Sequence, residues 1–173
     1  EAASSLITKY PELQIYTTGI SPFDKNWIRL DSYSKYIKTL ICKYELQNHV
    51  HYLGQLDEEA ICQQYLKANV FVSASSIENS SNSLSEAMML GVPCVASDAG
   101  GTNSLFTHNV DGYLYQADAP YMLSYYIDNI FSDIEKANYF SHNARQHAKE
   151  THDKTIICQQ LKRIYAMIFN QSE

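Results

Sequence analysis

The sequence predicts an α/β domain of the Rossmann-like type, built in three layers with helices on both faces of a mostly parallel sheet. Short apolar runs typical of buried strands alternate with segments of helical periodicity through the first two thirds of the chain. This alternation implies parallel strands connected by right-handed crossovers. A length of 173 residues with 45% hydrophobic and 18% charged content suits a globular protein, and we expect residues 1–173 to form a single domain.

Five apolar runs are predicted to be strands, at residues 13–18, 49–53, 70–72, 94–96 and 113–115. The first three segments between them have apolar residues at three- and four-residue spacing, which predicts helices, whereas the segment between the fourth and fifth strands is predicted to be a loop and a turn. From Pro120 the chain is predicted to form three helices, and the apolar face of the last comprises Ile157, Leu161, Ile164, Tyr165 and Ile168. The chain opens with a helix, whereas a doubly wound domain normally opens with a strand. We therefore expect the first strand to be missing, as in a fragment of a larger protein.

Composition excludes several classes of partner. The net charge of −6 and the lack of a Lys/Arg cluster argue against nucleic-acid binding. No apolar run is long enough to span a bilayer, so we expect a cytoplasmic protein that the rest of the polypeptide could bring to the inner face of the membrane. Four cysteines without metal spacing are expected to be reduced core thiols: Cys42, Cys62, Cys94 and Cys158.

A polar loop and a short helix between the third and fourth predicted strands form the most informative stretch. Leu84, Ala87 and Met88 have the spacing of one buried helix face. Gly91 stands where a left-handed residue ends a helix, and Pro93 prevents continuation. The loop should therefore lie at the carboxyl end of a parallel strand, where open α/β sheets bind ligands.

The residues of this stretch suggest the ligand. The first amides of a helix have no intrahelical acceptor, and together with the helix dipole they suit a phosphate. Glu78 and Glu86 flank that position and would repel phosphate, so they should face sugar hydroxyls; a nucleotide sugar has both parts. Two structural alternatives remain. Ser83 and Glu86 have the spacing of a capping box, and Glu78 could be a solvated loop carboxylate.

Other polar residues give weaker indications. The adjacent Gly100 and Gly101 follow the next strand, where they could let the backbone approach a ligand or adopt positive φ. His49 and His51 lie on one side of a strand without a visible third ligand, so we expect no metal site. The histidines of the helical region are expected to be solvated: His142, His147 and His152.

The stretch resembles a known family. The motif begins with Glu78 and Glu86, which are separated by seven residues. It is followed by Gly-x-Pro at 91–93 and by a Gly-Gly pair at 100–101. This order is similar to that of the retaining GT-B glycosyltransferases of family 4. The loop Glu-Asn-Ser-Ser-Asn-Ser-Leu is similar to a form common in bacterial capsule and cell-surface polysaccharide enzymes. The resemblance extends from Tyr10 to about Phe169.

The resemblance implies a role for several residues. Family members have two Rossmann-like domains, and this chain looks like the C-terminal, donor-binding one without its N-terminal partner domain. Glu78 would be catalytic and contact the donor sugar, while Glu86 would bind the ribose hydroxyls. The remaining donor-binding positions would be Asn82, Ser83, Leu84, Gly19, Gly54, Leu56, Gly100 and Gly101. The amides of 82–84 would hold the diphosphate, and Gly54, Leu56 and Gly19 lie in or beside the base-contacting loops.

The implied reaction is transfer of a sugar, with retention, from a UDP- or GDP-sugar to a saccharide or lipid-linked acceptor. The resemblance implies no metal and no other cofactor. Two features depart from the family pattern: the basic residues nearest Gly19 are Lys25 and Arg29, without a clear place in the site, and Ser104 stands where many relatives have Glu. We therefore expect the isolated chain to bind nucleotide without transferring sugar.

Alternative functions remain open. The chain could be a non-catalytic nucleotide-binding module, or, less favoured, a GT-B nucleotide-sugar epimerase acting on a hexosamine. A nicotinamide dehydrogenase is disfavoured because no Gly-x-Gly-x-x-Gly follows a strand.

Overall fold

The computed structural model describes residues 1–24, 28 and 30–170, and it has the predicted α/β architecture. Helices and strands alternate through the first two thirds of the chain and are followed by three consecutive helices. In chain order the elements are α1 (Ala2–Lys9), β1 (Ile15–Thr17), α2 (Ser32–Lys43), β2 (Val50–Tyr52), α3 (Glu58–Lys67), β3 (Phe71–Ser73), α4 (Asn82–Met89), β4 (Cys94–Ser97), α5 (Thr102–Leu105), β5 (Gly112–Tyr115), α6 (Pro120–Ser132), α7 (Ile134–His152) and α8 (Lys154–Asn170).

All strand ladders of the described residues are parallel, as predicted, but they form two sheets. One sheet contains β1 and β2, and the other has the order β3-β4-β5. The common doubly wound order 3-2-1-4-5-6 places one strand between its second and fourth strands. Each of the two sheets observed here is consistent with part of that order, and β1 and β3 share no ladder.

The sheet β3-β4-β5 has a packed helix layer on each face. Its central strand β4 is fully buried, and its side chains alternate between the two faces. Cys94 and Ala96 belong to a cluster with residues of α3, α4 and α7, whereas Val95 belongs to a cluster with residues of α1, α6 and β5. Both faces being buried explains the continuous apolar sequence of β4.

Helix α4 has well-defined signals at both ends. At its start, the Ser81 hydroxyl accepts a hydrogen bond from the Leu84 amide at 3.3 Å. At its end, Gly91 has φ of +74°, its amide donates to Met88 O, and the Val92 amide donates to Ala87 O, both at 2.9 Å. This is a Schellman termination, so the prediction of a left-handed residue at Gly91 is confirmed.

The prediction that all four cysteines are core thiols is wrong, and the predicted apolar face of α8 is not covered. On that face, Leu161, Ile164 and Tyr165 are 46%, 52% and 60% exposed. The periodicity identified a face that can be buried, but it could not identify an element that covers it. Among the cysteines, only Cys94 is buried, while the other three are exposed on α2, α3 and α8; all four are free thiols.

Within the part of the chain that the structure describes, no helix combines the length and the apolar character needed to cross a membrane.

Candidate functional site

The loop after β3 holds Glu78 in a defined orientation. The Ser75 hydroxyl donates to Glu78 Oε2 at 3.3 Å, and the amide of Asn79 donates to Oε1 at 3.2 Å. Ser75 is in turn fixed to β4, because the Ser97 hydroxyl donates to the Ser75 carbonyl at 2.6 Å. The half-buried Glu78 carboxylate is therefore an oriented group at the carboxyl end of the sheet, unlike a freely solvated loop carboxylate.

The Gly100–Gly101 turn packs directly against the Glu78 loop. The Gly101 amide donates to the Glu78 carbonyl at 2.9 Å. A Cβ atom at Gly100 would collide with the Glu78 carbonyl oxygen, and one at Gly101 would collide with that of Asn79. Gly100 also has φ of +54°. These glycines are thus required for close approach of two protein loops, and their contact with a donor remains a prediction.

The start of α4 is open to solvent. Asn82 and Ser83 are exposed, and their amides have no hydrogen-bond partner among the described residues. The Leu84 amide differs, because it already donates to the Ser81 hydroxyl and its residue is fully buried. Two unpaired amides with the positive end of the helix dipole can bind an anion here. The Leu84 amide could bind the anion as well only if its hydrogen bond to the Ser81 hydroxyl were broken.

Glu86 lies on the first turns of α4, where the exposed carboxylate accepts a hydrogen bond from the Tyr65 hydroxyl at 3.3 Å. Burial raises the pKa of Tyr65 well above its usual value, and the neighbouring charge of Glu86 raises it further. The phenol therefore keeps its proton and remains a hydrogen-bond donor. The capping-box alternative is wrong. The helix is capped by Ser81, and a capping-box Glu would occupy the position that Leu84 has.

The loops after β1 and β2 form a cleft of their own. Gly19 and Gly54 pair through an antiparallel bridge, with the Gly19 amide donating to Gly54 O at 2.9 Å. Both have positive φ, +102° and +71°. A cavity of about 390 Å³ lies against them, and Leu56 lines it too; the full lining is Thr18, Gly19, Ile20, Gly54, Gln55, Leu56 and Ile61. Three residues predicted to lie near a base therefore share one cavity.

Some predicted site residues do not lie together, and two lie outside the described residues. The cavity lining includes neither Glu78 nor Glu86, so the predicted residues form two separate clusters, one at the α4 start and one at the Gly19–Gly54 loops. Lys25 and Arg29 lie outside the described residues. Ser104 donates its hydroxyl to the Gly101 carbonyl at 2.7 Å, which secures the turn into α5.

Three residues of the site were not predicted: Tyr65, Ser75 and Ser81. Ser81 belongs to a row of small polar residues, any of which could cap α4, so the sequence did not distinguish it. Tyr65 precedes Glu86 by 21 residues on another helix, and no local pattern connects the two.

Several histidines have hydrogen-bond partners within the protein. His147 was predicted to be solvated, but its Nδ1 lies 2.7 Å from Asp111 Oδ2, and Asp111 is 1% exposed. His49 Nδ1 lies 2.8 Å from the Leu13 carbonyl, and His51 pairs with Gln14. In the described ranges, no group of three His, Cys, Asp or Glu side chains could hold a metal.

Comparison with known proteins places the chain in a family. The sequence model of the family described as "Glycosyl transferases group 1" matches residues 1–147. The chain belongs to this family. Its structure also matches the GT-B fold of solved glycosyltransferases, including the sucrose-phosphate synthase of Thermosynechococcus elongatus, with a TM-score of 0.80, 25% identity, and coverage of 98% of this chain and 42% of that one.

Two further relatives of this glycosyltransferase domain are informative. The YtcC protein of Bacillus subtilis, named as a glycosyltransferase, is 27% identical over 168 residues, which are 94% of this chain and 40% of YtcC. The Anabaena protein HepE, solved in complex with UDP, has a TM-score of 0.77 and 25% identity over 91% of this chain and 42% of its own. The chain thus spans about two fifths of these relatives.

Proposed function

We propose that this chain is the donor-binding domain of a retaining, family 4 glycosyltransferase that uses a UDP- or GDP-sugar. In this proposal Glu86 accepts hydrogen bonds from the ribose hydroxyls, and the amides of Asn82 and Ser83 bind the diphosphate. The Gly19–Gly54 cleft, with Leu56, takes the base. Family membership and the complex of HepE with UDP support this ligand class.

One observation carries the proposal: the α4 start presents two unpaired amides, and the carboxylates of Glu78, which precedes them in the sequence, and Glu86, which follows them, are each held by another side chain. Amides at a helix start favour an anion, whereas ionised carboxylates can only accept hydrogen bonds. A ligand that meets both needs is negative at its centre and carries hydroxyls on each side. A nucleotide sugar has this arrangement.

Glu78 has the catalytic role in this proposal. Its two oxygens are oriented by Ser75 and Asn79, so it can contact the donor sugar without first losing rotamer freedom. The diphosphate leaving group would be stabilised by the α4 start and by positive side chains rather than by a metal. The acceptor, a saccharide or lipid-linked saccharide, would bind chiefly to an N-terminal domain of the same polypeptide.

Calorimetry with UDP, GDP and NAD tests the proposal. We expect the chain to bind a nucleoside diphosphate in preference to NAD. Because Glu86→Gln replaces an ionised acceptor, affinity should fall by about tenfold or more. Glu135→Gln, an equally exposed change on α7, should leave it unchanged. Equal binding by wild type and Glu86→Gln would contradict the assignment of Glu86 to the ribose.

A further inference from the structure

The side chain of Tyr65 connects the apolar core to Glu86. Tyr65 lies on α3, is 7% exposed and packs in the cluster that contains Leu84, Ala87 and Met88. Its ring meets Phe71 of β3 nearly edge-on, with 5.6 Å between the ring centroids. Core packing therefore fixes the ring, and with it the position of the hydroxyl.

The hydroxyl of Tyr65 forms a hydrogen bond with Glu86. It donates to Oε2 at 3.3 Å, and within the described part of the chain Oε1 has no hydrogen-bond partner. An exposed glutamate samples several rotamers, and ordering it costs side-chain conformational entropy. The Tyr65 hydroxyl, which is anchored in the core, favours one rotamer of Glu86 before the ligand binds. It therefore lowers the entropy cost of binding.

We propose that Tyr65 is a positioning residue for nucleotide recognition: its hydroxyl holds Oε2 of Glu86 so that Oε1 faces the ribose hydroxyls of the bound nucleotide. This inference rests on the proposed function, in which Glu86 binds the ribose. It assigns a role in binding to a core residue that would not itself touch the ligand.

The test compares nucleotides that have or lack the hydroxyls. Tyr65→Phe keeps the ring and removes only the hydroxyl. Dissociation constants are measured by calorimetry for the better binder of UDP and GDP and for its 2′,3′-dideoxy analogue. We expect Tyr65→Phe to weaken the ribonucleotide by about fivefold and to change the dideoxy analogue by less than about twofold.

Two controls separate positioning from stability. Tyr10→Phe also removes a phenol that donates to a carboxylate, Asp128 Oδ1 at 2.7 Å, but between α1 and α6. It should alter neither affinity. In a Glu86→Gln background, Tyr65→Phe should lower ribonucleotide affinity by less than about twofold, because the ionised acceptor is already gone.

The outcomes are distinguishable. If Tyr65→Phe weakens both nucleotides equally, or weakens neither, the positioning role is refuted while nucleotide binding by the chain stands. If the wild type binds no nucleoside diphosphate, or binds the dideoxy analogue as tightly as the ribonucleotide, the assignment of Glu86 fails and Tyr65 has nothing to position.

Discussion

Replacing Gly101 by alanine should displace the Glu78 loop, because the added methyl group has no space. Its Cβ would collide with the Asn79 carbonyl oxygen, a backbone atom that cannot rotate away. Gly101 has an ordinary φ of −86°, so the substitution causes no conformational strain of its own. The effect is therefore purely steric.

The magnitude follows from two contributions. Overpacking against a backbone atom costs about 1–3 kcal/mol, and separating the loops weakens the 2.9 Å bond from the Gly101 amide to the Glu78 carbonyl, worth about 1 kcal/mol. The sum, about 2–4 kcal/mol, should lower the melting temperature by roughly 5–12 °C in a domain of this size. Because Glu78 contacts the donor sugar in the proposed function, displacing it should also weaken binding of a UDP-sugar more than binding of UDP.

Scanning calorimetry and titration with UDP and a UDP-sugar measure both effects. Gly54→Ala is the control for stability, since its Cβ would meet nothing within 4 Å although φ is +71°; we expect a cost of only about 1–2 kcal/mol from backbone strain. An unchanged melting temperature for Gly101→Ala would refute the packing argument. A lowered melting temperature with an unchanged sugar preference would refute the coupling to Glu78.

Three further predictions concern other parts of the chain. Asp111→Ala leaves the Thr107 amide and His147 without their buried acceptor, so urea unfolding should show a loss of about 3 kcal/mol; a loss below about 1 kcal/mol would contradict this. The hydrogen bond from Lys9 lowers the pKa of Asp128 below its ordinary value of 3.8. Its contribution to stability is present above that value and lost as the pH falls below it, so Asp128→Asn should flatten the acid side of a melting-temperature profile, and an unchanged profile would argue against it. The isolated chain should release no UDP from a UDP-sugar in the presence of acceptor saccharides, and measured turnover would overturn the need for a partner domain.

Local patterns predicted much of the fold. The spacing of Leu84, Ala87 and Met88 identified the buried face of α4, and these residues are at most 1% exposed. Gly91 was predicted to end that helix, because a left-handed terminator depends on a few neighbouring residues only. The order of the strands and of the longer helices was predicted for the same reason, whereas the four-residue helix α5 was predicted to be a loop. The division into two sheets was not predicted, since strand pairing depends on distant parts of the chain.

Tertiary contacts account for the features that the sequence did not reveal. The link from Tyr65 to Glu86 and the link from Asp111 to His147 span 21 and 36 residues and have no periodic signature. Gly100 and Gly101 were predicted to let the backbone approach a ligand. In the structure, a Cβ at Gly101 would instead meet a neighbouring loop. The sequence does not distinguish a glycine needed beside a ligand from one needed beside another loop.

The most direct test of the α4 start is to observe its amides while a ligand binds. In an amide-resolved NMR titration with UDP and GDP, the Asn82 and Ser83 signals should shift most, since these amides are unpaired in the described structure. Amide signals of the last helix, α8, serve as the reference. If the nucleoside diphosphate binds and the Asn82 and Ser83 amides stay unperturbed, the helix start is not the diphosphate site.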